Sequence, residues 1–180
     1  GELGAYSHIA INELFENPEI KTCATFEETF KIAFEHEDYK IVIPLENSLA
    51  GRVADIHYLL PKYKLQIHGE YFLNVEHNLL SKPEADIKDI KFVRSHAQAI
   101  GQCQKIINKN KFQSIISADT AGSAKELAEG NDKTIAAIAS DLSAKIYKLK
   151  ILEKNIEDET GNVTRFLIMG KKIEQPEFKK

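Results

Sequence analysis

A chain of 180 residues is long enough to bury a core without disulfides or metal ions, either as one domain or as two small lobes. Its 24 basic and 27 acidic residues are mixed along the chain and give a net charge of -3, so no basic stripe predicts binding to nucleic acid. No apolar run approaches the ~20 residues of a membrane span and no signal peptide is evident, so we expect a soluble cytoplasmic protein without membrane contact. Cys23 and Cys103 match no metal-binding spacing, so we expect two free thiols.

Helical and extended patterns alternate in the first part of the chain. Ser7 is predicted to cap a first helix, and TFEETFKIAFEH is predicted to form a second, in which Thr25 and Glu28 have capping-box spacing. YKIVIP is predicted to be a short strand that Pro44 ends, and VADIHYLLP a helix that ends before Pro61. The polar stretch LENSLAG between them is predicted to be a loop.

The second part of the chain has a regular pattern. LQIHGEYFLNVEHNLLS alternates apolar and polar residues, which predicts a long extended segment able to pass from one lobe to another. Three strands, IKFV, FQSIIS and TIAAIA, are each followed by a helix, which predicts parallel strands with helices on the faces of the sheet. After KILEKNI, the run TRFLIMG is predicted to be a buried strand, and the Lys-rich tail beyond it is expected to be solvated.

Small polar side chains lie at the junctions where these strands lead into helices. They are Ser95, Asp119 with Thr120, and Ser140. At such junctions the unpaired N–H groups and the positive dipole end of a helix can bind an anion. Each residue is also a favoured N-cap, so a single junction could be only a cap. Their recurrence at successive strands favours a ligand site.

The predicted loop after the first strand is a second candidate. Glu46, Asn47 and Ser48 supply a carboxylate, an amide and a hydroxyl there, although an ordinary turn would have the same composition. The histidines have no mutual spacing suited to a metal, and nucleophile elbows, P-loops and GxGxxG motifs are absent from the sequence. Any chemistry would therefore depend on hydrogen bonds and on the positions of neutral groups, without a metal.

Six short motifs carry a resemblance to one family. In chain order they are GELGAYS, IPLENSLAGRV, RSHAQAIGQC, ADTAGSA, AAIAS and GNVTRF, and their succession resembles the prephenate dehydratase family over nearly the whole chain. The resemblance implies an α/β fold of two lobes with mainly parallel central sheets and flanking helices, similar to type II periplasmic binding proteins, with the active site in the cleft between the lobes. The first lobe would comprise residues 1–74 with 160–180, and the second residues 75–159.

The resemblance also implies a reaction. It is the loss of water and carbon dioxide from prephenate to give phenylpyruvate in phenylalanine biosynthesis, without a cofactor, in a cytoplasmic homodimer or homotetramer. Two alternatives stay open: an arogenate dehydratase, and a noncatalytic small-molecule binding module of the same architecture. Many family members continue into an ACT domain that binds phenylalanine, whereas these residues stop at Lys180, so we expect no feedback inhibition through such a domain.

The motif matches assign roles to particular residues. Thr164 of TRF matches the catalytic threonine of the family, and its hydroxyl would donate a hydrogen bond or relay a proton to the departing hydroxyl of the substrate. The substrate-binding residues implied by the resemblance are Glu46, Asn47, Ser48, Ser95, Gln102, Asp119, Thr120, Ala121 and Arg165. If TRFLIMG is a strand of the first lobe, Thr164 would face the ligand from a rigid support.

Overall fold

A computed structural model describes residues 1–171, and the Lys-rich tail lies outside the described residues. These residues form seven α-helices, nine β-strands and one short 3-10 turn. The helices are α1 (Tyr6–Leu14), α2 (Phe26–Glu35), α3 (Ala54–Tyr63), α4 (Ala97–Gln102), α5 (Gln104–Asn110), α6 (Thr120–Glu129) and α7 (Asp141–Tyr147). The strands are β1 (Lys40–Asn47), β2 (Gly51–Arg52), β3 (Gln66–Asn74), β4 (Asn78–Ser81), β5 (Phe92–His96), β6 (Gln113–Ser117), β7 (Ile135–Ala139), β8 (Lys150–Glu153) and β9 (Val163–Gly170).

The chain divides into two compact units. The first contains Gly1, Tyr6–Asn74 and the chain from Gly161 onward, and the second contains Glu2–Ala5 and Val75–Thr160. The chain therefore passes between the units four times, and β4 and β9 are the first strands after the third and fourth of these passages. None of the helices in residues 1–171 combines the length and the apolar character that a membrane span requires.

The start of α2 is capped as predicted, whereas the start of α1 is not. The Glu28 backbone N–H donates to Thr25 Oγ1 over 3.1 Å, and Glu28 Oε2 accepts from the N–H of Ala24 over 2.7 Å. The predicted capping box therefore forms with one difference: the Glu28 carboxylate binds the N–H of Ala24, the residue before the cap, instead of the N–H of Thr25. Helix α1 begins at Tyr6, so Ser7 lies inside the helix instead of capping it.

Proline ends neither of the elements in which it was expected to do so. Strand β1 runs through Pro44 to Asn47, because a bulge between Pro44 and Glu46 absorbs the irregularity and pairing with β9 continues on both sides. Helix α3 likewise continues past Pro61 to Tyr63. The consequence for function is that Glu46 and Asn47 belong to a strand instead of a flexible loop.

The sheet of the first unit is antiparallel and has the strand order β2-β1-β9-β3. Because β1 and β3 both run antiparallel to β9, they run parallel to each other, which is the arrangement that a strand–helix–strand connection through α3 predicts. Strand β9 is inserted between them. The expectation of a mainly parallel sheet is therefore wrong for this unit.

The sheet of the second unit is mixed and has the order β6-β5-β7-β4-β8. Strand β5 pairs in parallel with β6 and β7, which confirms the direction predicted from the three strand–helix repeats. Strand β4 lies antiparallel between β7 and β8. Strand β9 in the first unit and β4 in the second each run antiparallel to both neighbours, and each is reached by the chain from the other unit. No crossover helix forces such a strand to run parallel to its neighbours.

Strand β9 is buried on both faces, as the apolar run predicted. Leu167 and Met169 pack with Phe30 of α2 and the residues of α3 on one face. Phe166 and Ile168 pack with α1 on the other face. These four side chains of β9 are each at most 4% exposed. The strand is therefore the central support of the first unit.

The burial of β9 generates a stability prediction for two isoleucines on neighbouring strands. Ile168 of β9 is 0% exposed, whereas Ile67 of β3 is 58% exposed. We expect Ile168→Ala to lower the free energy of unfolding by about 2–5 kcal/mol, because it leaves a cavity in the core. Ile67→Ala is the matched control and should change it by about 0.5 kcal/mol. Urea titration followed by circular dichroism measures both, and equal effects would contradict the central position of β9.

Candidate active site

The predicted residues of the first unit meet at one edge of its sheet. Thr164 of β9 lies opposite Asn47 of β1 and opposite Leu73 of β3. The next residue, Arg165, lies opposite Glu46. Because successive residues of a strand point to opposite faces, Thr164 and Asn47 share one face, and Arg165 and Glu46 share the other.

The oxygen of the Asn47 amide group is held by the turn that follows β1. Its oxygen accepts hydrogen bonds from the backbone N–H groups of Leu49 over 3.0 Å and of Ala50 over 2.9 Å. Its nitrogen therefore faces the other way, 2.9 Å from Thr164 Oγ1 and 2.7 Å from Asn162 Oδ1. An amide nitrogen only donates, so Thr164 Oγ1 is the acceptor. The proton of Thr164 has no partner among residues 1–171 and is available to a ligand.

Ser48 fastens the turn after β1 to the start of β9. Its hydroxyl donates to the carbonyl of Gly161 over 2.7 Å and accepts from the N–H of Val163 over 2.9 Å. Its own N–H donates to the carbonyl of Val163 over 2.8 Å. The one proton of this hydroxyl is therefore used within the protein, in the bond to the Gly161 carbonyl.

Arg165 bridges the two strands that flank β9. Its Nη1 lies 3.1 Å from Glu46 Oε1, and its Nε donates to Glu70 Oε2 over 2.7 Å. Its guanidinium also lies over the ring of Phe72, 5.9 Å from the centroid. The three charged side chains are 36–46% exposed, so the pairs stabilise the fold only modestly. Their geometric effect is to hold β1, β9 and β3 in register beside Thr164.

The predicted residues of the second unit also lie at one edge of their sheet. Ser95 is near the carboxyl end of β5, Asp119 follows the parallel strand β6, and β7 ends at Ala139. The carboxyl ends of parallel strands share an edge, which is where α/β sheets bind ligands. Ser95 is fully buried, and its hydroxyl donates to the carbonyl of Ile138 over 2.7 Å. Its proton is therefore directed at β7.

The start of α6 presents unpaired donors. Asp119 caps the helix and accepts from the Gly122 N–H over 2.6 Å. A Cβ at position 122 would lie 2.7 Å from Asp119 Oδ2, so the missing side chain of Gly122 permits this close approach. The N–H groups of Thr120 and Ala121 and the Thr120 hydroxyl have no partner within the part of the chain that the structure describes. Three donors at a helix N-terminus are suited to a carboxylate.

Gln102 is held by a histidine that sequence reasoning missed. His77 Nε2 lies 2.9 Å from Gln102 Oε1, and the backbone N–H of His77 donates to Glu157 Oε2 over 3.0 Å. Burial lowers the pKa of His77, so the ring is neutral near pH 7 and its Nε2–H donates to the amide oxygen. The amide nitrogen of Gln102 then points away from His77. The two residues are 25 positions apart, and no local pattern indicates that they meet.

Cys103 is unsuited to act as a nucleophile, and the acidic residues that the structure describes form no metal site. Cys23 and Cys103 are both free thiols, as predicted, and burial raises the pKa of Cys103 far above its ordinary value. A thiol in that state is a poor nucleophile. Within residues 1–171, no group of three His, Cys, Asp or Glu side chains is arranged to hold a metal ion.

The chain matches the profile of one family, described as prephenate dehydratase, over residues 1–174. It is 39% identical over 171 residues to arogenate dehydratase/prephenate dehydratase 2 of Arabidopsis thaliana, covering 95% of this chain and 45% of that relative. It is 38% identical over 172 residues to a bifunctional N-acyl-homoserine lactone acylase/prephenate dehydratase of Komagataeibacter europaeus, covering 96% of this chain and 61% of the relative.

The fold agrees with this match. The crystal structure of prephenate dehydratase from Staphylococcus aureus superimposes with a TM-score of 0.80 at 27% identity, covering 97% of this chain and 65% of that one. The chain is an α/β protein in which one sheet edge presents a threonine hydroxyl and another lies at a helix N-terminus. The chain belongs to the prephenate dehydratase family. It spans roughly half the length of the first of these relatives and about three-fifths of the second.

The buried His77 generates a pH prediction. The folded protein lowers the pKa of His77 below its ordinary value of about 6.5, so the unfolded chain binds a proton more readily. The free energy of unfolding should therefore fall as the pH drops below about 6.5. In His77→Gln the amide still donates to Gln102 but does not titrate, so the fall should be shallower. Burial also lowers the pKa of His8, so part of the slope should persist.

Urea unfolding between pH 5 and 8 measures this slope for the wild type and the His77→Gln variant. A slope of equal steepness in the two proteins would contradict the neutral state of His77 and its bond to Gln102.

Proposed function

We propose that this chain catalyses the decarboxylative dehydration of prephenate to phenylpyruvate. Its membership of the prephenate dehydratase family supports the proposal. The observation that carries it is the Thr164 hydroxyl, which accepts from Asn47 and keeps its own proton free. Because the chain spans only part of its relatives, the activity, the substrate and the partners are inferences.

The reaction needs a proton at one oxygen. Prephenate has two carboxylates and a hydroxyl on a ring that is not aromatic. The bond to the ring carboxylate breaks and carbon dioxide leaves, while its electron pair enters the ring. The carbon–oxygen bond then breaks, the ring becomes aromatic, and the hydroxyl accepts one proton and leaves as water. A donor held at this oxygen and a site that fixes the reactive conformer are what the protein must supply.

Thr164 is our candidate for this donor. An alcohol is too weak an acid to protonate a leaving group by its pKa alone, so the hydrogen bond must strengthen as negative charge develops on the departing oxygen. If the proton moves, charge appears on Thr164 Oγ1, where the Asn47 N–H group is already directed. Asn47 thus stabilises the oxygen that loses the proton, and a solvent proton restores the threonine.

The second unit supplies donors for the carboxylates of the substrate. We assign this role to the Thr120 hydroxyl and to the N–H groups of Thr120 and Ala121. Asp119 supports them as the cap of α6, and Gln102, which is bonded to His77, is a further substrate-binding residue in this proposal. The ring carboxylate that leaves should be bound weakly, because stabilising it in the ground state would oppose decarboxylation.

We assign supporting roles to Glu46, Ser48, Ser95 and Arg165. Each of these side chains is already bonded to a carbonyl or to an oppositely charged group within its own unit. A direct contact with substrate would require them to exchange these partners. Their position at the ends of β1, β5 and β9 makes them supports for the donors beside them.

Arogenate is a second candidate substrate. It has an amino group where prephenate has the side-chain keto group, and the same ring chemistry applies to both. The Arabidopsis relative is named as both an arogenate and a prephenate dehydratase, which favours testing the two substrates together. A cytoplasmic location, a homodimer or homotetramer, and likeness to type II periplasmic binding proteins stay predictions.

Direct turnover tests the proposal. The protein is incubated with prephenate and, in parallel, with arogenate, and the products are measured by phenylpyruvate absorbance in alkali and by phenylalanine analysis. We expect phenylpyruvate from prephenate at the same rate with and without EDTA, because no step requires a metal. A higher kcat/KM for arogenate would reassign the substrate. Tight binding of prephenate without turnover would contradict catalysis and favour a binding module.

An isosteric change at Asn47 tests the direction of the Thr164 hydroxyl. In Asn47→Asp the side-chain oxygen still accepts from the turn, but the second oxygen would draw the Thr164 proton toward itself. We expect kcat to fall by about 100-fold, the range of lost acid–base assistance. The control is Asn110→Asp on α5, which should retain the wild-type kcat. A kcat of Asn47→Asp within about 3-fold of the wild type would exclude this role.

A further inference from the structure

We propose that Asn162 is a positioning residue for Thr164 and acts through the amide of Asn47. The inference rests on the proposed function and adds a residue to it. Asn162 is only 4% exposed and precedes Thr164 by two positions, at the entrance of β9. Its oxygen faces the same amide nitrogen that donates to the Thr164 hydroxyl.

The amide nitrogen of Asn47 has fewer hydrogens than there are acceptor oxygens around it. The nitrogen carries two hydrogens and faces three oxygens: Asn162 Oδ1 at 2.7 Å, Thr164 Oγ1 at 2.9 Å and the Val163 carbonyl at 3.3 Å. Asn162 makes the shortest of these bonds. Because the amide group is planar, fixing one N–H on Asn162 fixes the direction of the other, which then lies toward Thr164.

Removing the Asn162 oxygen changes the balance among these acceptors. One Asn47 hydrogen would lose its partner in a partly buried setting, and an amide rotamer that leaves such a donor unpaired is disfavoured. The amide would then turn so that the Val163 carbonyl receives a hydrogen at the expense of Thr164. The threonine oxygen would lose the N–H that stabilises it as its proton moves.

This role is distinct from simple fastening of the strand. The start of β9 is already held to the preceding turn by Ser48, which bonds to Gly161 and Val163 without touching the amide of Asn47. Asn162 instead accepts a hydrogen bond from the side chain of Asn47, which also donates to Thr164. Its loss should slow the transfer of the proton within the bound complex. We therefore expect kcat to fall by a larger factor than KM rises.

Two variants of similar size distinguish the effect of losing the acceptor oxygen of Asn162 from the effect of changing the shape of its side chain. Asn162→Leu has a similar size and no acceptor, and Asn162→Asp keeps an oxygen for Asn47. We expect kcat on prephenate to fall by about 10- to 100-fold in Asn162→Leu with KM within about 3-fold of the wild type. Asn162→Asp should recover kcat to within about 5-fold of the wild type. The control Asn110→Leu removes a side-chain amide bond to Ile106 on α5 and should leave both constants unchanged.

Equal losses of kcat in Asn162→Leu and Asn162→Asp, or a wild-type kcat in Asn162→Leu, would overturn the proposal. If Asn162→Leu does not fold, Asn162→Ser replaces it, because its shorter side chain does not reach Asn47. A second readout does not depend on activity. In a 15N–1H spectrum the side-chain amide signals of Asn47 should shift in Asn162→Leu and not in Asn110→Leu, and unshifted signals would also overturn the proposal.

These measurements distinguish the inference from the proposed function. No turnover of either substrate by the wild-type protein would reject the function, whereas the amide signals would still decide whether Asn162 positions Asn47.

Discussion

The proposed reaction depends above all on the orientation of one amide group in the first unit. The N–H groups of Leu49 and Ala50 bind the oxygen of Asn47 and so direct its nitrogen at Thr164. A threonine hydroxyl in a protein can usually donate or accept, but here the amide occupies the acceptor side. Its proton is left for a ligand, and this single restriction converts an ordinary hydroxyl into a directed donor. Catalysis by neutral groups depends on such placement, because none of them is a strong acid or nucleophile.

The fold provides the rigidity that this orientation needs. Strand β9 is buried on both faces and has a hydrogen-bonded neighbour on each side, so Thr164 cannot move independently of the sheet. The bridge from Glu46 through Arg165 to Glu70 restrains the register of the three strands on the opposite face. The bulge after Pro44 keeps Asn47 in a strand beside the threonine. The polar residues that open GNVTRFLIMG and the apolar residues that follow are therefore parts of one element, which supports the hydroxyl that we propose as the proton donor.

Much of this arrangement was predictable from local sequence. The apolar run after Arg165 predicted a buried strand, Thr25 predicted a helix cap, and the three strand–helix repeats predicted parallel strands, and the structure confirms each. The insertion of β4 and β9 between parallel neighbours was not predictable, because the pairing joins segments far apart in sequence and no local periodicity encodes it. The contact of His77 with Gln102 was missed for the same reason. Asn162 lies in a recognised motif, but the role that we propose for it follows only from the shared amide of Asn47.

The most direct test of this account is the turnover of prephenate by a matched pair of variants at position 164. Thr164→Val keeps the shape of the side chain and removes its proton, whereas Thr164→Ser keeps a hydroxyl at the same position. With both variants folded, the account predicts a kcat about 100-fold below the wild type for Thr164→Val and within about 10-fold for Thr164→Ser. A kcat for Thr164→Val equal to that of Thr164→Ser would show that the hydroxyl is not the donor, and would contradict the account.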